Sequence, residues 1–153
     1  MEKIASFRID HDKLTKGLYV SRIDGDVITY DLRMKLPNGG DYLAPAEAHT
    51  LEHLLASYLR NVDFGGEVVY VGPMGCRTGF YILMRDTVSR KTAIDIIWSA
   101  LHFTACYARE IPGATKAECG NYLEHDLPGA KAVAYDMVRV LQNWTEEQLK
   151  YPE

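Results

Sequence analysis

From Val27 to Leu36 the chain alternates almost without a break, with Ile28, Tyr30, Leu32, Met34 and Leu36 apolar against Thr29, Asp31, Arg33 and Lys35 polar. Successive side chains of a strand point to opposite faces, so this segment is committed to a strand with one face on a core. A lone strand leaves its whole backbone unpaired, and the neighbours that pair with it are legible. Leu18-Tyr19-Val20-Ser21-Arg22-Ile23 precedes it across the turn signal Asp24-Gly25, which predicts a hairpin, and Pro37-Asn38-Gly39-Gly40 stops it. A second pair of strands, 67–71 and 78–83, flanks Gly72-Pro73-Met74-Gly75-Cys76, a glycine-bearing turn with Cys76 at its edge.

Three helices are expected between and after the strands. Ala46 to Arg60 carries Leu51, Leu54, Leu55, Tyr58 and Leu59 behind Pro45, a residue tolerated in a first turn. Ser89 to Arg109 places Ile94, Ile97, Trp98, Leu101 and Ala105 at three-and-four spacing, so it reads as one amphipathic helix ending before Pro112-Gly113. An irregular stretch from Ala114 to Pro128 leads to a last helix over Ala130 to Trp144. Hairpin-ordered strands mixed with three helices predict an α+β domain of two layers, an antiparallel sheet with helices packed on one face. With no linker to divide it, the chain reads as one domain over residues 1–153.

With 17 basic against 21 acidic side chains the net charge is −4, which argues against nucleic acid as a partner and for a small molecule or a second copy of the chain. The N-terminus has no charged-then-apolar leader and no apolar run approaches the length of a membrane span, so no membrane is expected and the protein reads as cytoplasmic. Cys76, Cys106 and Cys119 lie far apart with no C-x-x-C pair, as reduced thiols do. Cys106, among the apolar positions of the long helix, reads as core filling, and His102 as a packed or surface residue.

The chemistry begins at His49-Thr50-Leu51-Glu52-His53. On a helix, histidines four residues apart share a face, and Glu52 falls within about 100° of them. H-x-x-E-H is the inverse of the zincin pattern, with two imidazole ligands and a glutamate as proton acceptor. A catalytic site needs a third protein ligand and an open position. Cys119, Cys76, His125, His11 and Asp126 all qualify, and a His, His, Cys set suits zinc, iron(II) or cobalt. His125 otherwise reads as a loop histidine or a residue behind the ligands. Cys76, in a turn with two glycines and beside Arg77, has the setting of a reactive thiolate.

Three blocks in order, His49-Thr50-Leu51-Glu52-His53-Leu54-Leu55-Ala56, Gly72-Pro73-Met74-Gly75-Cys76-Arg77-Thr78-Gly79-Phe80-Tyr81 and Cys119-Gly120, together resemble the S-ribosylhomocysteine lyase (LuxS, autoinducer-2 synthase) family. Ser6-Phe7-Arg8-Ile9-Asp10-His11, Asp31-Leu32-Arg33 and Pro37-Asn38 extend the likeness to nearly the whole chain. The resemblance implies a homodimer with active sites at the subunit interface. It also implies cleavage of the S-ribosylhomocysteine thioether to homocysteine and 4,5-dihydroxy-2,3-pentanedione, the autoinducer-2 precursor. It assigns His49, His53 and Cys119 as ligands of one divalent ion per subunit, iron(II) by family habit with zinc or cobalt as substitutes. Cys76 and Glu52 become the acid/base pair, and Ser6, His11, Arg33 and Arg60 match positions for substrate binding or proton handling. At one place the chain departs. Where many members carry an acidic residue before the Pro-Met-Gly-Cys turn to hold the amino-acid end of the substrate, it reads Tyr70-Val71-Gly72.

The reaction expected of such a set is carbonyl migration followed by β-elimination. Each proton transfer needs a base in hydrogen-bond reach of its own carbon, and one base cannot face both sides of a sugar chain. Cys76 is assigned to the early isomerisation and Glu52 to the later abstraction that expels homocysteine. Two rivals make different demands. An H-x-x-E-H peptidase would use a downstream glutamate as third ligand, and a non-catalytic zinc-stabilised module would have Cys76 close a four-ligand site.

Overall fold

In the computed structural model, which describes residues 1–153, the alternating segment is strand β2, Val27–Arg33, paired antiparallel with β1, Gly17–Asp24. Asp24 faces Val27 across a two-residue turn whose first residue, Gly25, has φ +59°, a left-handed value that suits glycine at this point of a II′ hairpin. The other pair, β3 (Val68–Pro73) and β4 (Gly79–Arg85), joins it through β4, so the sheet order is β1-β2-β4-β3, antiparallel throughout. Pro73, which has no amide hydrogen to give, ends an edge strand, where that lack costs least.

The pattern of β2 decides the layers. Ile28, Tyr30 and Leu32 enter a core of 27 buried residues with Phe80, Ile82 and Met84 of β4. The helices supply the rest. Helix α1 (Pro45–Asn61) gives Leu51, Leu55 and Leu59, helix α2 (Arg90–Ala105) gives Ile94, Ile97 and Leu101, and helix α3 (Leu127–Val140) gives Val133 and Met137. The helices therefore cover one sheet face, as expected of a two-layer α+β fold. Thr29, Asp31 and Arg33 point to the other face.

Four expectations shift at their edges. Strand β2 ends at Arg33 rather than Leu36, because the amides of Met34 and Lys35 both donate to the carbonyl of Thr78 and the chain turns away, leaving Leu36 exposed. Helix α2 stops at Ala105, not Arg109. Its buried stripe runs out at Thr104, so a further turn would have no apolar face to bury, and Cys106 becomes an exposed C-cap rather than core filling. Helix α3 starts early, at Leu127, because Asp126 caps it by accepting the Gly129 amide at 2.9 Å. It also ends early, at Val140, and Trp144 beyond it donates its indole N–H to the Leu18 carbonyl at 3.0 Å. No helix is long and apolar enough to cross a membrane.

Candidate metal centre

Helix α1 begins at Pro45 without a side-chain cap, and Glu47 substitutes by accepting the Ala44 amide at 3.0 Å. One turn later, Leu51, Leu54 and Leu55 bury completely while His49, Glu52 and His53 lie on the half-buried flank. The irregular stretch between α2 and α3 folds onto this flank. Thr50, fully buried, accepts the Asp126 amide at 2.9 Å, and that amide also reaches the Ala46 carbonyl. The stretch thereby carries Cys119 and His125 to the histidines.

The result is one cluster, His49, His53, Cys119 and His125, whose donor atoms all lie within 4.8 Å of one another and could hold one metal ion. Its internal geometry fits that use. A carbonyl oxygen only accepts, so the Glu124 carbonyl 2.7 Å from His49 Nδ1 and the Pro112 carbonyl 2.8 Å from His53 Nδ1 each require the hydrogen on Nδ1. In the neutral ring, the form that binds a metal, this leaves the lone pair on Nε2. His49 Nε2 stands 3.3 Å from Cys119 Sγ, and ligands held tetrahedrally at about 2.0–2.3 Å from an ion are separated by about 3.3–3.8 Å. The Asn121 amide donates to the same sulfur at 3.5 Å. Gly113 makes room for this arrangement. It has φ +72°, and a Cβ there would stand 3.3 Å from His53 Nδ1.

His125 is the residue that reading the sequence undervalued. Its ring stacks on His49 at 4.0 Å and its Nδ1 is 3.0 Å from the Thr50 hydroxyl, but its buried Nε2 has no hydrogen-bond partner. Burial, and then the neighbouring His49 and His53, lower its pKa from the ordinary histidine value, which favours the neutral ring. A signal was available, since His125 immediately precedes the helix cap Asp126, but nothing local says which way the ring turns. No carboxylate belongs to the cluster.

Glu52 and His49 open onto a cleft of about 450 Å³ walled by Pro73, Met74 and Gly75. Cys76 follows those three residues directly, yet its side chain opens elsewhere. It lines a separate hollow of about 210 Å³ with His11, Asn38, Tyr42 and Thr78. Two backbone features turn the chain there. Arg77 takes a left-handed φ of +60°, and at Gly79 a Cβ would stand 2.1 Å from the Leu32 carbonyl, so only glycine lets β4 approach β2 this closely.

The cation at Cys76 is Arg33, not the adjacent Arg77. Arg33 Nη1 donates to Thr78 Oγ1 at 2.7 Å and lies 3.9 Å from Cys76 Sγ, which is itself 3.0 Å from the Thr78 hydroxyl. Arg77 instead reaches the Leu43 carbonyl and lies over the Tyr42 ring. Arg33 and Asp31 are almost fully buried and paired in a two-point fork, Nε to Oδ1 at 3.1 Å and Nη2 to Oδ2 at 2.6 Å. Burial works against the charge of Arg33, but the attraction of Asp31 outweighs it and the pKa is raised. Of the other expected substrate residues, His11 donates Nδ1–H to the Ile9 carbonyl and lines the Cys76 hollow. Ser6 lies in a 3-10 turn, Ala5–Phe7, in the exposed N-terminal segment. Arg60, in the last turn of α1, donates to the Val68 and Val69 carbonyls.

A sequence model of S-ribosylhomocysteinase (LuxS) matches residues 4–148. Among curated proteins, the S-ribosylhomocysteine lyase of Borreliella afzelii is 46% identical, covering 99% of this chain and 100% of its own length. That of Clostridium beijerinckii is 45% identical over 99% of each chain, and that of Porphyromonas gingivalis 45% over 100% of each.

Proposed function

The chain belongs to the S-ribosylhomocysteinase (LuxS) family and is an enzyme, a carbon–sulfur lyase, and from that premise we propose how its residues divide the reaction. The substrate is S-ribosyl-L-homocysteine, cleaved to L-homocysteine and 4,5-dihydroxy-2,3-pentanedione, the autoinducer-2 precursor. His49, His53 and Cys119 hold one divalent ion, iron(II) with zinc or cobalt as substitutes. The observation that carries this reading is the pair of carbonyl groups that occupy both Nδ1 atoms and leave both Nε2 atoms to a cluster with the Cys119 sulfur, all donor atoms within 4.8 Å of one another. When bound, the ion supplies Lewis-acid withdrawal of electrons from the sugar carbonyl.

Cys76, as a thiolate beside Arg33, takes and returns the protons that move the carbonyl along the sugar. Glu52, on the other wall, removes the later proton. The electrons of that C–H bond form a carbon–carbon double bond as the C–S bond breaks and homocysteine leaves as a thiolate. Ser6, His11, Arg33 and Arg60 are assigned to holding the substrate or handling protons, all four on the resemblance, with His11 lining the Cys76 hollow and Arg33 buried beside Thr78 and Cys76.

The reading extends to a homodimer with its active sites between subunits. Cys76 and His11 open into one hollow of the chain, and His49 and Glu52 into another. A second copy brings the Cys76 hollow of one subunit to the metal cleft of the other, and the exposed Ile4, Phe7 and Leu123 are apolar groups for it to cover. Residues 1–153 act as one such domain, in the cytoplasm, without nucleic acid or membrane. The test is thiol release from S-ribosylhomocysteine under anaerobic conditions, with metal analysis of the same sample. Release should rise in proportion to bound metal, and a fully loaded protein that releases no thiol overturns the reading.

A further inference from the structure

Beyond helix α3 the chain turns round the β1 edge of the sheet. Leu149 closes a 3-10 turn, Glu146–Leu149, inside the core, and two residues later Tyr151 lies on the opposite face. There its ring stacks on Tyr19, with centroids 5.1 Å apart, and its hydroxyl donates to Asp31 Oδ2 at 2.7 Å. The same Oδ2 accepts from Arg33 Nη2. A continuous line of polar contacts therefore runs from Tyr151 through Asp31 and Arg33 to Thr78 and Cys76. We propose that Tyr151 is a positioning residue for Cys76, acting through Asp31 on the Arg33 guanidinium that faces the thiol. This rests on the reading of Cys76 as a proton carrier, and it adds a residue outside every block that carries the family resemblance.

The direction of the effect follows from the charges. A buried carboxylate that holds an arginine alone draws the cation fully to itself. A hydroxyl donated to that carboxylate disperses its negative charge, so more of the positive potential of Arg33 remains at Nη1, the end toward Cys76. The hydroxyl also fixes the rotation of Asp31 and with it the fork that aims Nη1 at Thr78. Burial first, and then the charge of Asp31, push the pKa of Tyr151 far above the ordinary tyrosine value, so the hydroxyl keeps the proton it donates. The other titratable groups toward Cys76 are His11 from the N-terminal segment, Tyr42 from the loop before α1 and Tyr81 from β4, with Arg77 turned onto Tyr42. None of them touches Tyr151 through a hydrogen bond. Its hydroxyl can therefore be removed without disturbing them directly.

Tyr151→Phe keeps the ring on Tyr19 and deletes only the hydroxyl. In the metal-loaded protein, the rate of Cys76 alkylation by iodoacetamide is followed from about pH 5 to about pH 9 by mass analysis of its peptide, with exposed Cys106 as internal control. The midpoint for Cys76 should rise by about half a pH unit, so that below it the rate falls about threefold, while Cys106 is unchanged. An unmoved or lowered midpoint overturns the proposal, and so does faster labelling of both thiols, which would mark general loosening. The readout needs no turnover. If Cys76→Ala releases homocysteine at the wild-type rate, the catalytic reading of Cys76 falls, and the alkylation profile still decides whether Tyr151 acts on the thiol.

Discussion

A histidine offers a metal only the nitrogen that carries no hydrogen, and at His49 and His53 two backbone carbonyls make that choice. The nitrogen each ring can offer is thus set by groups from a loop as much as by the helix that carries the histidines. His53→Ala and Cys119→Ala should each lose most of the bound metal in elemental analysis, because an incomplete ligand set forfeits most of its binding energy. His125→Gln should keep it. A His125→Gln protein as metal-poor as Cys119→Ala makes His125 a fourth ligand and turns the centre into a closed structural site. The proposed roles of Glu52 and Cys76 can be tested separately. Glu52→Gln should retain metal and lose about 10²- to 10⁴-fold in thiol release, the usual loss for a general base. Substrate deuterated beside the first carbonyl should still exchange with solvent in that variant, and Cys76→Ala should block the exchange. NMR showing both variants stalled at the same unrearranged substrate sinks the division of labour.

Among the elements, α1 does two jobs on adjacent faces. Leu51 and Leu55 hold it in the core against the sheet while His49, Glu52 and His53, interleaved with them, face the loop before α3. Core burial thereby fixes the direction of the functional side chains, because a rotation of α1 that moved a histidine would also expose leucine. The loop has no such core, and it depends on a few polar ties to α1, with Thr50 at their centre. Thr50→Val keeps the shape of a fully buried side chain but removes the shorter of the two acceptors of the Asp126 amide, leaving the Ala46 carbonyl at 3.2 Å, and removes the group beside His125 Nδ1. The expected cost is about 1–3 kcal/mol by denaturant unfolding. Hydrogen exchange should rise mainly over residues 112–126, with α1 little changed. Uniform loss of protection would show that the loop and the helix unfold together.

At the scale of the whole molecule, one chain carries two separate hollows, one lined by Cys76 and His11 and one by His49 and Glu52. If each complete site joins the Cys76 hollow of one subunit to the metal cleft of its partner, Cys76→Ala and Glu52→Gln subunits complement each other. Mixing equal amounts of the two inactive proteins, unfolded and refolded together, should restore about a quarter of wild-type activity, since half the dimers are mixed and each has one intact site of two. A Cys76→Ala and His11→Ala mixture should restore none, because both residues line the same hollow of the same chain. No recovery in the first mixture places both bases on one subunit.

What the amino-acid sequence settled alone was whatever has a short period or a short span. Two-residue alternation assigned the faces of β2, the Asp24-Gly25 signal made the hairpin, and four-residue spacing put His49 and His53 on one side of α1. These follow from backbone geometry, which is the same wherever the segment sits. The tertiary structure decided what depends on distant partners. It ended α2 at Ala105, because a helix continues only while its next turn has something to bury against, and so exposed Cys106. It brought His125 to the cluster through a hydroxyl on α1, 75 residues away in the chain. It also gave Cys76 the guanidinium of Arg33 instead of the neighbouring Arg77, because the register that sets Arg33 opposite Gly79 lays that side chain beside the turn, while the left-handed backbone at Arg77 points its own away. Charge and hydrogen-bond partners are properties of positions in space, and adjacency along the chain constrains them weakly once strands pair across a sheet.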